Sequence, residues 1–592
     1  MTILGKTVFT YGVRCCRDVF MFAMMDTEKN GIRHYHIDRS GSQLDKIVSS
    51  LMCNGVCWIT YNGQYYDSTI LNYIIMNYKE LSSKSSSECA YLIYSFSLTV
   101  WNNPVQEWIE YKHANKFFSI DLAPIFYNRG FRTFGEVKSQ LGYNDVRERE
   151  VDNRLSYGSR RSLMSSYLDL DLREYKDIVN DVIDELMFRE FLYIEYNLNV
   201  FNSTPSKLAL RLFSLLYEAY TKKKLDGEGI NRTRIDFKDF LPDKSRFRYL
   251  NEDVYDKLYD MYVTSEDSDI NLDVQSVYAK LTGAGLKGFR GPGVFRGGNG
   301  KHIYMADMRS AWPSVALRHN ICPETIDLEG FKYAMNTLMS LRRTTGYVRH
   351  FKNVMNAIIG MFGVRESPLH DYKAFMAVRI ISAIETVCMI HSLYDFCCIE
   401  ILQVNNDGVV FMCDVPYENM RHGLSEWSDT NGFSVSLDEY DIFAQHTIND
   451  WFAINGKLVS KRKGIFENGS QRYPLGVCDA VINSIIEEEP VDKMLASIPK
   501  KRFMTVKTLS DGEEFSIKQE DVYVSLGNII RCYKSADVRE LYKYNPSKGG
   551  YHLIDSNTGL STDRNAIIDY KWYAVKAYQL YTELTTKQLK LF

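Results

Sequence analysis

The sequence has no surplus of either charge. Its 592 residues include 71 Lys and Arg against 74 Asp and Glu, which gives a formal net charge of −3. That balance excludes a uniformly basic nucleic-acid coat, but it leaves room for a local basic groove on a neutral body. The chain also lacks internal repeats and low-complexity tracts, and 45% of it is hydrophobic. We therefore expect a folded protein with large cores and little disorder.

The twelve cysteines lack the spaced pairs of a zinc site. Cys15 and Cys16 are adjacent, as are Cys397 and Cys398, and adjacent cysteines are poor zinc ligands and poor disulfide partners. We expect reduced thiols, which are typical of cytoplasmic proteins.

Long apolar runs are missing as well. No run of about 18 uncharged apolar residues occurs, so we expect no membrane-spanning segment and no membrane partner. Arg14, Arg17 and Asp18 interrupt any apolar stretch that a signal peptide would need. The chain is therefore expected in the cytoplasm, which for a viral protein is the cytoplasm of the host cell.

The length suggests about three to five structural units, at roughly 100–200 residues per domain. Over residues 6–77, short apolar runs at 19–25 and 56–61 are typical of buried strands, and a helical spacing of apolar residues follows at 68–78, which indicates an α/β unit. Long helical patterns cover 161–200. Residues 221–275 are polar and irregular, and the glycine-rich residues 281–300 predict a turn or hairpin.

The second half of the chain shows clearer periodicity. The pattern predicts two helices over 331–363, a long helix over 371–396 and a hairpin of two apolar strands around residues 405–408. Strand patterns near 503–534 and a last helix over 572–587 follow.

Two aspartates stand where strands end. Asp307 closes a predicted strand over 303–306, and Asp407 lies in the turn of the predicted hairpin. Two such carboxylates can converge on one point and hold two Mg²⁺ ions, which Mn²⁺ could replace. Two metal ions meet the needs of nucleotide addition, because they activate the attacking hydroxyl and stabilise the charge on phosphorus and pyrophosphate.

A third segment supplies cations and a small residue. Lys352 and Asn356 are four residues apart, and Gly360 extends the same helix face by another four. A lysine there can meet a triphosphate, the glycine lets a base pair approach, and Arg342 on the preceding helix could add a second cation. Each feature is common alone, and their joint occurrence in this order points to one site.

These three segments resemble motifs A, B and C of family B DNA polymerases. Motif A corresponds to residues 307–313 (DMRSAWP), motif B to residues 352–360, and motif C to residues 405–408 (NNDG). The last is closer to the NTDG of many bacteriophage members.

The resemblance implies a role for each site residue. Asp307 and Asp407 would be the catalytic metal ligands. Nucleotide binding would fall to Ser310, Trp312, Arg342, Lys352 and Asn356, and DNA binding to Gly360, Lys461 and Lys463.

Two flanking segments support the same resemblance. Residues 283–288 (GAGLKG) are similar to the family's glycine-rich link between its exonuclease and polymerase parts. Residues 449–466 are similar to the segment after motif C, in which Lys461 and Lys463 would contact the primer–template backbone without sequence preference. The resemblance covers residues 280–470 well and the rest loosely.

Three residues depart from the family pattern. Asn405 replaces an acid in motif C, Ile359 replaces an aromatic residue in motif B, and Trp312 replaces the tyrosine that excludes the ribose 2′-OH. A planar tryptophan still predicts a preference for deoxynucleotides. The short intervals between the motifs leave little room for the insertions of protein-primed members, so protein priming is disfavoured.

The resemblance also implies a 3′–5′ exonuclease domain, whose motifs are incomplete here. Asn62 and Asp67 match the second exonuclease motif. Asp181 is the candidate for the third motif, in which an aromatic residue precedes an acid by four positions on a helix. In the first motif, the best alignment puts Tyr11 and Val13 at the two acid positions. We therefore predict an exonuclease-like domain with little or no nuclease activity.

The implied fold class is α/β and α+β multidomain, with a right-hand polymerase of palm, fingers and thumb behind a ribonuclease H-like exonuclease-type domain. The implied boundaries are 1–200 for the exonuclease-like domain, 201–280 for linker and N-terminal elements, 281–330 and 366–454 for the palm, 331–365 for the fingers, and 455–592 for the thumb and C-terminal region.

The leading hypothesis is a DNA-directed DNA polymerase that extends a primer–template with dNTPs in phage genome replication. Its other partners would be a processivity factor, a helicase or other replication proteins. The alternatives are a DNA-binding 3′–5′ exonuclease, a non-catalytic nucleic-acid-binding relic, and a polymerase that accepts ribonucleotides or RNA templates. The first two are disfavoured because the acids survive in the polymerase half and fail in the nuclease half.

Overall fold

The structure is a computed structural model that divides the described chain into two compact units, Met1–Leu212 and Phe213–Phe592. The first unit thus extends beyond the sequence-based boundary at residue 200. The described residues are 1–102, 108–126, 133–141, 143, 151–225, 256, 268–271, 278–282, 285–510, 512–537, 539–546, 549–562 and 567–586. Gly283 and Ala284 of the glycine-rich segment, and most of the irregular region at 221–275, lie outside them.

Unit 1 is built on a mixed sheet. Its long central strand Lys6–Cys16 pairs antiparallel with Val19–Asp26 and parallel with Val56–Thr60, which confirms the strands predicted at 19–25 and 56–61. The strand order is Gly41–Ser42, Ile32–Asp38, Val19–Asp26, Lys6–Cys16, Val56–Thr60 and Ser119–Asp121, with Thr2–Ile3 paired to Lys6–Cys16.

Helices cover both faces of this sheet. Along the strand Val19–Asp26, Met21 and Ala23 join the apolar core under the helix Tyr157–Asp181, whereas Phe20 and Phe22 join the core under the helix Ser86–Asn102. Alternate side chains of a strand point to opposite faces, so burial on both faces explains the continuous apolar run.

The helical patterns predicted over 161–200 are confirmed as two helices, Tyr157–Asp181 and Ile183–Tyr196, which are separated by Val182. The helices of unit 1 are Leu44–Leu51, Asp67–Met76, Tyr78–Ser82, Ser86–Asn102, Ile109–Lys112, Phe134–Gln140, Tyr157–Asp181 and Ile183–Tyr196, with a 3-10 turn at Ala123–Phe126. Pro205–Thr221 runs across the division between the units.

Unit 2 carries a seven-stranded sheet in which every neighbouring pair is antiparallel. The order is Val435–Tyr440, His302–Met308, Gly408–Cys413, Glu400–Asn405, Gly285–Phe289, Tyr278–Thr282 and Ser268–Asn271. The predicted hairpin is confirmed as Glu400–Asn405 and Gly408–Cys413.

The helix Tyr372–Phe396 lies against this sheet and confirms the long helix predicted at 371–396. It is long and apolar enough to cross a membrane by composition, but 83% of its most apolar window is buried inside the protein. A helix that is apolar all round is typical of a core position, and this burial supports that interpretation. The helices Ala311–Arg318 and Tyr417–Asn431 pack against it.

The two helices predicted over 331–363 are confirmed as Leu328–Thr344 and Val348–Met361, which pack on each other. The first begins where the side chain of Asp327 accepts a hydrogen bond from the backbone N–H of Gly330, a usual N-cap arrangement.

The remaining elements of unit 2 form three smaller sheets and a helical core. A four-stranded sheet joins Gly293–Arg296, Ile442–Thr447, Asp450–Asn455 and Leu458–Lys463. Two further sheets join Thr505–Thr508, Ile529–Lys534 and Thr558–Leu560, and Val522–Gly527, Glu514–Gln519, Leu541–Asn545 and Gly550–Asp555. The helices are Ile465–Asn468, Leu475–Glu487, Val491–Leu495 and Tyr570–Thr585, with a 3-10 turn at Lys500–Phe503. The last helix and strands near 503–534 were predicted from the sequence.

Arg189 provides a test of the packing of unit 1. Its fully buried guanidinium pairs with Glu185 at 2.8 Å and donates hydrogen bonds to the carbonyl oxygens of Val200, Phe201 and Ser203. Arg189→Met should lower the free energy of unfolding by about 3 kcal/mol in urea denaturation, because buried acceptors lose their donor. The control is Arg173→Met, because Arg173 is exposed on the helix Tyr157–Asp181. It should change the free energy of unfolding by less than about 0.5 kcal/mol. Equal effects would contradict this account.

Candidate active site

The two predicted catalytic aspartates lie side by side at one end of the large sheet of unit 2. Asp307 is in the strand His302–Met308, where its register partners are Gly408 and Ser436. Asp407 is in the two-residue turn that joins Asn405 to Gly408. The backbone N–H of Met308 donates to the carbonyl oxygen of Asp407 at 2.7 Å, which ties the turn to the Asp307 strand. The structure thus brings Asp307 and Asp407 together, as the sequence predicts.

Gly408 makes this close approach feasible. A Cβ atom built on it would lie 1.9 Å from Oδ1 of Asp307 and 2.7 Å from the carbonyl oxygen of Ala306. No other residue fits there without a shift of the carboxylate or of the strands. The glycine of the NNDG motif is therefore explained by contact with the first aspartate.

The helix Tyr372–Phe396 anchors the turn that carries Asp407. The hydroxyls of Ser382 and Thr386 donate to the carbonyl oxygen of Asn406 at 3.1 and 2.7 Å. The side-chain oxygen of Asn406 accepts a hydrogen bond from the backbone N–H of Leu286 in the neighbouring strand. Sequence analysis missed Ser382 and Thr386, because two small polar residues in an apolar helix carry no motif.

The carboxylate pair is electrostatically unfavourable without a counterion. Burial raises the pKa of Asp307 to about 6, and Asp407 raises it further, whereas Lys461 and Lys352 act in the opposite direction. Like charges in a half-buried place disfavour the ionised form. The pair is therefore poised to take up positive charge.

Arg342 lies beside motif A, in agreement with its predicted role. Its guanidinium donates to the hydroxyl of Ser310, which has a left-handed backbone with φ of 51°. Burial lowers the pKa of Arg342, and the neighbouring Arg309 and Arg343 lower it too. Three guanidinium groups this close together favour a polyanionic ligand. Arg309 was not among the predicted residues.

The predicted helix face of motif B is also formed. Lys352, Asn356 and Gly360 all lie in the helix Val348–Met361, and the charge of Lys352 acts on Asp307. A Cβ atom at Gly360 would meet nothing within 4 Å, so the helix offers an open flat spot there.

A cavity of about 380 Å³ opens over the two aspartates. Besides Asp307 and Asp407, its lining includes Trp312, Lys461 and Lys463, so it gathers predicted nucleotide-binding and DNA-binding residues at the acid pair. Their contacts with nucleotide or DNA remain predictions.

Lys461 has a partner that sequence analysis missed. Its ammonium group pairs with Asp438 at 2.8 Å, and Asp438 lies two register positions from the partner of Asp307 on the neighbouring strand. Burial alone would lower the pKa of Lys461, but hydrogen bonds to Asp438 and Tyr440 raise it above its ordinary value. Lys461 therefore stays charged beside the acids.

The residues present fit a Mg²⁺ site completed by substrate. Among the described residues, no group of three His, Cys, Asp or Glu side chains could hold a metal ion alone. Mg²⁺ commonly binds through one or two carboxylates together with phosphate oxygens and water. The unfavourable Asp307–Asp407 pair supplies that number of carboxylates.

Unit 1 contains a second acidic centre, and an arginine occupies it. Arg14 forms an ion pair with Asp171, whose side chain is only 4% exposed, and its charge also acts on Asp67. Burial raises the pKa of Asp67 to about 7, against a hydrogen bond from Thr60. The guanidinium supplies the positive charge that buried carboxylates require.

The alignment that puts Tyr11 and Val13 at the two acid positions of the first exonuclease motif is wrong. Tyr11 and Val13 point into the core under the helix Ser86–Asn102, whereas a Cβ atom built on Gly12 would meet Leu168 and Tyr175 of the helix Tyr157–Asp181. Alternation along the strand therefore puts Gly12 and Arg14, not Tyr11 and Val13, on the side of Asp171.

Asp181 is not at this centre either. It is the last residue of the helix Tyr157–Asp181, ten residues or about 15 Å beyond Asp171, and its pKa is raised by burial and by Asp177 rather than by Asp67. The sequence contains a better match to the third motif. Tyr167 is an aromatic residue four positions before Asp171, whereas the residue four positions before Asp181 is Asp177.

Asn62 and Asp67 line the same cavity, and a residue that sequence analysis missed holds the loop of Asn62. The carboxylate of Asp121, at the end of the strand Ser119–Asp121, accepts hydrogen bonds from the backbone N–H groups of Asn62, Gln64 and Ala123 at 2.7 to 2.9 Å. Burial raises the pKa of Asp121 to about 6. Asp121 holds the loop that carries Asn62 in its left-handed conformation, with φ of 60°.

Comparisons with known proteins add little beyond this geometry. No family model and no curated protein matches the chain. Among solved structures, the chain is similar to the family B DNA polymerase from the hyperthermophilic archaeon Pyrobaculum calidifontis, at 10% identity and a TM-score of 0.46. The similarity covers 98% of this chain and 78% of the archaeal one.

Gly408→Ala tests the close approach of the strands. The new methyl group must displace the Asp307 carboxylate or the strand, so the free energy of unfolding should fall by about 2 kcal/mol in urea denaturation. Gly158→Ala is the matched control, because a Cβ atom there meets nothing within 4 Å and lies in a helix. A Gly408→Ala protein as stable as wild type would contradict the contact.

Asp307→Asn tests the electrostatic conflict. The folded protein binds the Asp307 proton more tightly than the unfolded chain does, so its contribution to stability falls as pH rises from about 4 through about 6 and is constant above. In buffer at pH 8 that contains a metal chelator, Asp307→Asn should raise the free energy of unfolding, measured by urea denaturation, by about 1 kcal/mol. This gain should disappear near pH 4.

The control for this prediction is Asp414→Asn, because Asp414 is exposed just after the strand Gly408–Cys413. It should leave the unfolding curve unchanged at both pH values. A destabilised Asp307→Asn protein at pH 8 would show that the pair is not in conflict.

Proposed function

We propose that the chain is a template-directed DNA polymerase that extends a primer 3′ end with dNTPs, aided by two Mg²⁺ ions. The observation that carries this proposal is the convergence of Asp307 and Asp407 under a cavity lined by Trp312, Lys461 and Lys463. The motif order along the chain and the cationic helix pair support the same activity.

Asp307 and Asp407 would hold the metal ions, which Mn²⁺ could replace. Bound there, such ions supply Lewis-acid activation of the primer hydroxyl and charge stabilisation at the phosphorus and the leaving group. The protein's own contribution is positional: the hydroxyls of Ser382 and Thr386 fix the Asp407 turn, and Gly408 lets the two carboxylates approach. Such preorganisation avoids reorganisation at the moment of reaction.

The helix pair would hold the incoming triphosphate. Arg342, fixed by Ser310, and the nearby Arg309 offer guanidinium groups that suit phosphate oxygens, and Lys352 adds charge towards Asp307. Asn356 and Gly360 extend the same helix towards the nascent base pair. Lys461, kept charged by Asp438, would neutralise phosphate near the primer end, with Lys463 on the backbone beyond it.

Trp312 would stand where the sugar of the nucleotide lies, because it lines the cavity over the two acids. A planar indole there favours deoxyribose over ribose by exclusion. This disfavours a polymerase that accepts ribonucleotides, whereas the choice between DNA and RNA templates does not depend on Trp312.

Unit 1 would be a ribonuclease H-like, exonuclease-type domain without effective proofreading. Its mixed sheet, with three antiparallel strands followed by two parallel ones and helices on both faces, supports that fold. Arg14 stands at one of the two first-motif positions and Gly12 at the other, so two of the four acids are absent. This favours the polymerase over the 3′–5′ exonuclease alternative, and the intact Asp307 pair disfavours a non-catalytic relic.

The biological setting is part of the same proposal. The NNDG form of motif C supports a bacteriophage origin, with genome replication in the host cytoplasm. Primer–template DNA and dNTPs are the proposed ligands, and a processivity factor, a helicase or other replication proteins would be further partners.

Primer extension tests the proposal. Purified protein with Mg²⁺ and four dNTPs should lengthen a 5′-labelled primer, and Asp407→Ala should abolish extension while DNA binding persists, because metal-holding acids act in the transition state. Asp414→Ala, an exposed acid near the same strand, should extend normally. Extension by Asp407→Ala would refute the site assignment, and shortening without dNTPs would show an active nuclease.

A further inference from the structure

The core helix Tyr372–Phe396 carries a stripe of buried polar side chains. Ser382, Glu385 and Thr386 are 0 to 3% exposed, and spacings of three and four residues put them on one side of the helix. Ser382 and Thr386 hold the carbonyl oxygen of Asn406. Glu385 is not part of that anchor, so the burial of its carboxylate has a different cause.

Glu385 is bonded to the segment that follows motif A. The ring N–H at Nε2 of His319 donates to Oε1 of Glu385 at 2.8 Å, and the two side chains are 8% and 4% exposed. The other carboxylate oxygen, Oε2, is buried and has no hydrogen-bond partner in the described part of the chain. The bond from His319 is therefore what compensates this carboxylate for its removal from water.

His319 directly follows the short helix Ala311–Arg318, and the chain before this helix is held separately. There the backbone N–H of Arg309 donates to the carbonyl oxygen of Ser434 at 2.7 Å. Trp312, which lines the cavity over the two catalytic aspartates, lies between these attachments. Because seven residues, about two helical turns, separate Trp312 from His319, a tilt of the helix end also displaces the indole.

The buried pair adds direction to an otherwise apolar contact. The helix Ala311–Arg318 packs against Tyr372–Phe396, and apolar burial alone is non-directional. A hydrogen-bonded pair of charged groups has a defined partner and geometry, and in some proteins such pairs select one packing arrangement at a cost in stability. The polar stripe thus ties the turn of Asp407 and the helix of Trp312 to the same core element.

We propose that the His319–Glu385 pair is a positioning pair that sets the selectivity of the site for deoxynucleotides. Both side chains are buried and act through Trp312. Their bond fixes the end of the helix Ala311–Arg318, and with it the distance between the indole and the sugar of the incoming nucleotide. The inference rests on the proposed polymerase function, which supplies that nucleotide.

The test compares the incorporation of single dATP and ATP residues opposite a template thymine by the full-length protein with Mg²⁺. The double variant His319→Leu/Glu385→Leu leaves no unpaired charge in the core, so it should fold. Its ratio of kcat/KM for dATP to kcat/KM for ATP should fall at least about tenfold, since a misplacement of roughly 1 Å can change a rate by about 10²-fold. A smaller folded fraction lowers both rates equally and leaves this ratio unchanged.

Glu385→Gln is the conservative variant, because its amide oxygen still accepts the bond from His319. Its ratio should stay within about twofold of the wild-type ratio. The matched control is His422→Leu/Glu426→Leu, two exposed residues on the helix Tyr417–Asn431, which also packs against the core helix. The control should discriminate as wild type does. A wild-type ratio in His319→Leu/Glu385→Leu, an equal loss in the control, or an equal loss in Glu385→Gln would overturn the proposal.

Amide hydrogen exchange separates this inference from the proposed function, because it needs no nucleotide. In His319→Leu/Glu385→Leu, the backbone amides within 311–319 should exchange at least about tenfold faster than in wild type. Those within 406–409 should be unchanged, because that turn has its own anchor. If wild type fails to extend primers but this local change occurs, the polymerase proposal fails and the positioning of the helix stands. If wild type extends primers and neither the exchange nor the ratio changes, the positioning pair is refuted and the polymerase proposal stands.

Discussion

The pairing of the Asp307 strand with the strand that follows Asp407 is the constraint on which the site of unit 2 depends. The Asp307 carboxylate can lie against the neighbouring strand because its register partner there, Gly408, lacks a side chain. The approach brings Asp407 close to the half-buried Asp307, where burial and the neighbouring charge raise the pKa of Asp307. Lys461 and Lys352 partly offset that cost, and Arg342 is bonded to Ser310 in the same motif as Asp307.

The two units handle buried carboxylates in different ways. In unit 2, Lys461 is occupied by Asp438, which leaves the Asp307–Asp407 pair open to ions from solution. In unit 1, Arg14 is bonded directly to Asp171 and its charge reaches Asp67. A side chain cannot leave, whereas a metal ion can exchange. The first arrangement suits turnover, and the second suits a centre whose charge is fixed once the chain has folded.

Sequence reasoning succeeded where a local pattern was tied to local geometry. The strand that ends near Asp307, the hairpin around Asp407, the helix pair and the long core helix all follow from periodicity and turn residues. It failed where the answer depended on which face of a strand meets which helix. The alignment of the first exonuclease motif was displaced by one residue along the strand Lys6–Cys16. It therefore selected Tyr11 and Val13 on one face of the strand instead of Gly12 and Arg14 on the other. Asp171, Asp438 and Thr386 act through partners far away in the chain, so no spacing revealed them.

The anchoring of the Asn406 carbonyl to Ser382 and Thr386 has a dynamic consequence. The helix that carries these hydroxyls is largely buried, so the turn cannot detach without breaking hydrogen bonds to a core element of the unit. Local opening near Asp407 is therefore coupled to large-scale unfolding rather than to fraying.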